Sequence, residues 1–237
     1  MATRYSPKII TDGAVLYYDE NNKNSTNKKD LILGRNAVLA ASNYSYFVND
    51  GLFGTTAASV AQYNSSAPSP GTGFSGNFWI RRTANTTGNW DTICYVDTGG
   101  PRYRQLWFGW YYNVTDQIHC SVPYYSAVDT TDWWSVDPAW SYVGLTFVVG
   151  QWYNFCFSYN NATRLHSTYI NGMLAASGTR PGLGDMNNPN GSNIYIFGTS
   201  NQSYANGNLK SVIFYNRALT ASEVMQNFVA VRNKYGY

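Results

Sequence analysis

The acidic residues of this 237-residue chain are few and scattered. Glycoside hydrolases, for example, need two carboxyl groups on either side of the scissile bond. The chain has only two glutamates, Glu20 in a polar run and Glu223 near the C terminus. The aspartates occur singly, and Asp129, Asp132 and Asp137 fall where no strand alternation is visible. We therefore expect that the chain is not an enzyme. Glycoside hydrolysis is a weaker hypothesis than the binding and structural roles considered below.

The histidines and cysteines do not form a recognisable reactive or metal-binding motif. His119 and His166 stand alone, without a nucleophilic serine or cysteine motif beside them. Cys94, Cys120 and Cys156 are odd in number and far apart, and they lack zinc-type spacing. Each has apolar or aromatic neighbours, which predicts buried free thiols.

No cofactor is predicted from these residue types. Asp129, Asp132 and Asp185 are the carboxylates through which calcium could bind. No dense carboxylate cluster supports it, so the expected cofactor is none.

Aromatic residues provide the more informative candidate site. The stretch 124–142 and the neighbouring WFGWYY at 107–112 mix Trp and Tyr with Asp, Ser and Thr. The candidate ligand-binding or partner-binding residues are Trp110, Tyr111, Tyr112, Tyr124, Tyr125, Asp132, Trp133, Trp134 and Trp140. Three interpretations remain open: these residues fold a loop onto the domain, they form a protein contact, or they stack on sugar rings.

The composition limits the classes of partner. Charged residues make up 12% of the chain and aromatic residues 17%, and the net charge is +3 with no basic block. Nucleic-acid binding requires a concentrated basic face, so we predict no nucleic-acid partner. No apolar run is long enough to span a membrane, and the first residues lack the apolar core of a signal peptide. These features predict a protein made in a reducing cytoplasm, without membrane insertion.

Short strands about ten residues apart predict an all-β sandwich of antiparallel strands. The predicted strands are 13–19, 77–82, 90–97, 104–112, 117–122, 152–160, 193–198 and 209–215. In 152–160, the aromatic residues at 153, 155, 157 and 159 share one face, which predicts a core-facing side. Asn171 and Gly172 lie between two apolar arms and predict a type I′ hairpin turn.

The C-terminal segment carries the clearest helix signal. Thr220 and Glu223 are spaced as a capping box, and Leu219 and Val224 as a hydrophobic staple. Apolar residues then recur on one helical stripe. We predict a helix over 220–234 that packs on the β domain.

Four stretches in this order resemble concanavalin A-like, laminin G-type jelly-roll domains. They are GAVLYYDENNKNS, NFWIRRT, QWYNFCFSYNNATRLHSTYINGMLAASG and YNRALTASEVMQNFVAVRNKYG. The opening MATRYSPKIITDG is similar to the start of virion structural proteins of tailed phages, cyanophages among them. Residues 31–73 depart from the family pattern.

The resemblance implies a jelly-roll sandwich over 13–237, preceded by an N-terminal arm over 1–12. It implies a non-catalytic bacteriophage virion protein, a surface decoration or tail-associated subunit acting through protein contacts. Its expected partners are other virion proteins and further copies of itself, and its expected location is the virion, assembled in the bacterial host cytoplasm. The alternative is a carbohydrate-binding adhesin, such as a tail-fibre lectin-like module, that recognises a bacterial surface glycan.

Overall fold

The computed structural model describes twelve stretches of the chain. They are residues 7–19, 31–32, 38–39, 52–54, 61–63, 72–83, 90–97, 106–111, 118–121, 148–179, 193–196 and 207–237. In several of the strands the description covers the backbone and not the side chains.

The described residues form thirteen strands and a C-terminal helix. In chain order the strands are β1 (Ala14–Asp19), β2 (Val38–Leu39), β3 (Leu52–Gly54), β4 (Ala61–Tyr63), β5 (Gly73–Arg82), β6 (Trp90–Asp97), β7 (Leu106–Tyr111), β8 (Ile118–Ser121), β9 (Trp152–Asn160), β10 (Leu165–Ile170), β11 (Met173–Thr179), β12 (Asn193–Ile196) and β13 (Gly207–Tyr215). The helix α1 spans Ala221–Val231 and continues as a 3-10 helix over Arg232–Tyr235.

These strands form two antiparallel sheets. The seven-stranded sheet has the order β1-β13-β5-β9-β10-β11, with β3 also paired to β13. The six-stranded sheet has the order β2-β4-β12-β6-β7-β8. The first and last strands are neighbours, and many neighbours are distant in sequence, as in a jelly roll. The predicted all-β, concanavalin A-like sandwich with a short C-terminal helix is therefore confirmed.

One face of the seven-stranded sheet is an aromatic core. The predicted alternation in β9 is confirmed, because Phe155 and Phe157 are buried on the side that carries Phe74, Phe78 and Phe214. The ring of Phe214 stacks on Phe74 at 5.4 Å and meets Phe78 edge-on at 5.5 Å. Such tilted and offset contacts between aromatic rings stabilise a core beyond simple area burial.

The opposite face of β9 is polar, yet it is buried as well. Asn154 and Ser158 are at most 4% exposed because the C-terminal segment covers them. Asn154 donates a 2.6 Å hydrogen bond to Asn77 on the neighbouring strand. Ser158 donates to the backbone oxygen of Leu219, just before α1. The side-chain amide nitrogen of Asn154 and the hydroxyl of Ser158 are thus satisfied by neighbouring groups, whereas the side-chain oxygen of Asn154 is buried without a partner.

The turn between β10 and β11 has the predicted conformation. Asn171 and Gly172 have φ values of 52° and 78°, the left-handed region that a type I′ turn requires at both positions. A Cβ atom at residue 172 would lie 3.0 Å from the sulfur of Met225 and 3.1 Å from Phe228. The glycine therefore serves both the turn and the close approach of α1.

The predicted capping box is confirmed at the start of α1. The amide of Glu223 donates to the hydroxyl of Thr220, and the Glu223 carboxylate accepts from the amide of Thr220 at 2.8 Å. Leu219 and Val224 are buried in one cluster, as a staple requires. The α-helix ends at Val231, three residues before the predicted boundary, because the last turn tightens into the 3-10 helix.

The segment before β1 packs on the same helix. The side chain of Asn227 accepts from the amide of Ile10 and donates to the hydroxyl of Tyr215, which in turn donates to the carbonyl of Ile10. Gln226 donates to the carbonyl of Lys8. The part of the predicted N-terminal arm that the structure describes is therefore bound to the domain's own C-terminal helix.

We expect Thr220→Ala to lower the free energy of unfolding by about 1 kcal/mol, because it removes the oxygen that caps α1. Urea unfolding at neutral pH, followed by tryptophan fluorescence, would measure the change. Ser222→Ala is the matched control, since Ser222 is exposed and makes no capping bond. Equal stability of Thr220→Ala and the wild type would contradict the importance of the capping box.

Candidate functional site

The structure describes two of the nine candidate site residues. Trp110 and Tyr111 lie in β7, near the end of a strand rather than in a loop. The other seven, Tyr112, Tyr124, Tyr125, Asp132, Trp133, Trp134 and Trp140, lie outside the described residues. The described part of the candidate site is therefore the end of β7.

Strand β7 is paired on both sides. Its register with β6 places aromatic and acidic residues, which are common in sugar-binding sites, opposite one another. Trp110 is opposite Asp91 of β6 and opposite Ile118 of β8. Tyr111 is opposite Trp90. Residues directly opposite in an antiparallel pair have Cβ atoms about 5 Å apart, so each pair acts as a local unit. The register thus places an aromatic position opposite an acidic position, and two aromatic positions opposite each other.

Sequence reasoning missed the contributions of β6 and β12 to this region. Tyr95 of β6 is opposite Trp107 of β7 on one side and Tyr195 of β12 on the other. A row of three aromatic positions therefore crosses three strands of the six-stranded sheet. No local pattern could reveal it, because the row depends on the pairing of segments that are distant in sequence. The high aromatic content of these strands was the only signal.

The carboxylates whose side chains the structure describes are all engaged in ion pairs. Glu223 and Arg217 form a two-point contact of 2.7 and 3.0 Å. Asp12 contacts the same guanidinium at 3.0 Å, and Asp19 accepts both a 2.8 and a 2.9 Å contact from Lys234. These carboxylates have structural partners, and the arrangement does not resemble a catalytic pair facing a groove.

The ionisation of Glu223 follows from these contacts. The hydrogen bonds from Arg217, and next those from Thr220, stabilise the carboxylate and lower the pKa of Glu223 to about 2. A general acid must hold a proton near neutral pH, which this group does not. Glu223 is therefore explained as a helix cap and ion-pair partner.

Two of the three thiols are buried as predicted. Cys94 and Cys156 are free and fully buried, and burial raises the pKa of both thiols far above the usual range. A thiol in this state is a poor nucleophile and packs as a small hydrophobe. The side chain of Cys120 lies outside the described residues.

A cluster of cations and aromatic rings lies on the seven-stranded sheet. The guanidinium of Arg81 is 4.8 Å from the ring centre of Trp152. The ammonium of Lys210 is 4.7 Å from the Trp152 ring and 5.1 Å from that of Tyr235, and Lys234 is 5.0 Å from Tyr235. Cation–π attraction holds these charges in place and covers the rings, which is a sufficient structural role.

Neither a metal site nor a membrane helix is found in the part of the chain that the structure describes. No three His, Cys, Asp or Glu side chains there come together as metal ligands. The residues considered for calcium, Asp129, Asp132 and Asp185, lie outside that part. No described helix is both long and apolar enough to cross a bilayer.

A family comparison agrees with the topology. Residues 53–225 match the family model of the concanavalin A-like lectin/glucanase superfamily, of the laminin G type. The chain belongs to this superfamily. The match includes β4 and all but the first residue of β3, in the region where the sequence showed no family pattern. No curated protein matches the chain.

Solved structures share the fold at low sequence identity. Trypanosoma rangeli sialidase in complex with sialic acid superimposes with a TM-score of 0.64 and 18% identity, over 96% of this chain and 34% of the sialidase chain. The binding domain of botulinum neurotoxin serotype D gives 0.62 and 13%, over 92% of this chain and 51% of that chain. This lectin/glucanase-superfamily chain thus spans a third to a half of these neighbours, and at such identities the likeness shows the fold.

We expect Glu223 to make the stability of the protein acid-sensitive in a defined window. Because its folded pKa of about 2 is below the ordinary 4.5, the carboxylate stabilises the folded state above pH 4.5. That contribution falls as the pH drops from about 4.5 to about 2. Glu223→Gln should therefore be less stable than the wild type at pH 7, and the difference should shrink across this window.

Urea unfolding at a series of pH values would measure the difference. Asp12→Asn is the control, because its side chain is 87% exposed and pairs with the same Arg217. An exposed ion pair contributes little, so Asp12→Asn should show a smaller effect at every pH. A difference between Glu223→Gln and the wild type that stays constant from pH 7 to pH 2 would contradict the assignment.

Proposed function

We propose that this chain is a non-catalytic carbohydrate-binding module. The observation that carries the proposal is the register of β7, in which Trp110 is opposite Asp91 and Tyr111 is opposite Trp90. Sugar rings present apolar CH faces that stack on indole and phenol rings, while nearby carboxylates accept hydrogen bonds from hydroxyl groups. Aromatic and carboxylate positions in adjacent strands suit both needs.

Two further points support this proposal. The carboxylates whose side chains the structure describes all form ion pairs. This favours a binding function over bond cleavage. The family includes lectins by its description, and one neighbour of similar fold is a sialidase that holds sialic acid. The glycan-binding surface would then consist of the six-stranded sheet and the candidate residues that follow β7 and β8 in sequence.

A structural role in a bacteriophage virion is the second candidate. The resemblance of the N-terminal sequence to tailed-phage virion proteins suggests it, and one structural observation favours it. Large apolar side chains are exposed at one corner of the seven-stranded sheet, among them Met173 at 68% and Leu174 at 56%. Exposed apolar patches often mark protein contacts. In this case the partners would be other virion subunits and further copies of the chain, and the glycan surface would serve host attachment.

We expect the purified protein to bind at least one glycan on an array of bacterial surface polysaccharides. Trp110→Ala, and separately the double variant Trp133→Ala with Trp134→Ala, should weaken binding of that glycan at least about fivefold, since stacking contributes on the order of 1 kcal/mol or more per ring. Isothermal titration calorimetry would measure the affinity, and melting temperature would report folding.

Tyr237→Ala is the matched control, because Tyr237 is an exposed aromatic residue on the side of the other sheet. It should leave glycan affinity unchanged. Absence of any glycan ligand, together with detection of the chain as a subunit in an electron-microscopy map of a phage particle, would favour the second candidate. Hydrolysis of a polysaccharide by the purified protein would overturn the non-catalytic assignment.

A further inference from the structure

Strand β11 is an edge of the seven-stranded sheet. Among the described strands it pairs only with β10. Its residues are exposed or half-buried along the whole strand. An edge strand presents backbone N–H and C=O groups that can pair with another strand, which natural proteins usually prevent.

The usual protections against such pairing are almost absent from this edge. From residue 165 to residue 179 the sequence contains no Asp, Glu, Lys or Arg and no proline, and Arg180 and Pro181 follow directly after β11. One irregularity is present, because Ala175 has no partner in β10 and marks a bulge. The stretch 176–179 after the bulge pairs regularly with β10, and no second described strand pairs with it.

An exposed apolar corner adjoins the beginning of the same strand. Met173 and Leu174 are the first residues of β11. Met225 of α1 reaches the preceding turn, because its sulfur would lie 3.0 Å from a Cβ atom added at Gly172. Tyr237 extends the corner, since its hydroxyl bonds Gln151 and the backbone of Trp152. The exposed side chains of the corner are Val148, Val149, Met173, Leu174, Met225 and Tyr237.

We propose that two copies of this chain associate through β11, by antiparallel pairing of their 176–179 segments about a two-fold axis. The inference goes beyond glycan binding and does not depend on it. The choice of a second copy rests on charge: the chain carries a net charge of +3, yet β11 itself, residues 173–179, has no charged side chain. Two identical copies therefore meet here without like-charge repulsion, and each supplies the extended strand that the other lacks.

The two-fold arrangement defines which residues meet. With the axis at residue 177, Ser177 of one copy is directly opposite Ser177 of the other and Ala176 is opposite Gly178, so the two Ser177 side chains are near neighbours. The apolar corner lies at the outer end of the paired segment in each copy. Methionine side chains adapt to irregular surfaces, so Met173 can pack against the second copy without an exact fit.

Sedimentation velocity over a range of concentrations tests the proposal with the full chain. We expect a concentration-dependent dimer for the wild type. Ser177→Lys should raise its dissociation constant at least about tenfold, because it brings two like charges together at the axis. Ser177 is exposed, so the melting temperature should not change. An equimolar mixture of Ser177→Lys and Ser177→Glu should recover dimers as mixed pairs.

Asn233→Lys is the matched control, because it adds the same charge at an exposed position of the 3-10 helix, next to Lys234, which contacts Asp19 of β1 at the other edge of the sheet. It should dimerise like the wild type. A wild-type protein that stays monomeric at every concentration would overturn the proposal, whatever else binds this edge. So would a dimer that Ser177→Lys leaves intact, since that result would assign the contact to another surface.

Discussion

Two buried serine hydroxyls fix the connection between the last strand and the helix, and the placement of α1 depends on them. The hydroxyl of Ser75 donates to the carbonyl of Arg217 and accepts from the amide of Leu219, while Ser158 donates to the carbonyl of Leu219. Leu219 is only 4% exposed, so its backbone groups would lose water without replacement if the serines were absent. A Cβ atom at Gly73 would lie 2.8 Å from the backbone nitrogen of Ala218, so this position must lack a side chain for the connection to approach.

That connection brings both ends of the described chain to one face of the sheet. Once α1 lies there, Asn227 can bond Ile10 and Tyr215 together, and Phe228 can stack on Trp79 at 5.7 Å. The helix and the segment before β1 therefore cover a face whose polar residues would otherwise need water. The seven-stranded sheet is thus a rigid support that uses its outer face for its own stability. Under the proposed function, ligand recognition falls to the six-stranded sheet.

Local chemistry explains which features could be predicted from the sequence. The capping box at Thr220 and the turn at Asn171 and Gly172 depend on residues a few positions apart, and the structure confirms both. The strands β2, β3 and β4 were not predicted because two or three residues are too short to show a period. The role of Ser158 was also beyond prediction, since its partner Leu219 is distant in sequence. At the candidate site the aromatic residues of β7 were predicted, but their pairing with β6, and that of β6 with β12, was not.

The two proposals concern different parts of the sandwich, and this has a consequence for binding. Strand β11 is at the edge of the seven-stranded sheet, whereas β7 is an inner strand of the six-stranded sheet. Pairing of two copies through β11 would therefore leave β7 and its partners uncovered. A single stacking site binds a sugar weakly, because few contacts must offset the loss of rotational and translational freedom. Two sites held on one rigid dimer raise the effective concentration of the second site, so a repetitive surface glycan would be bound more tightly than an isolated sugar. On this view, pairing through β11 raises the avidity for a repetitive glycan whose single sites bind weakly.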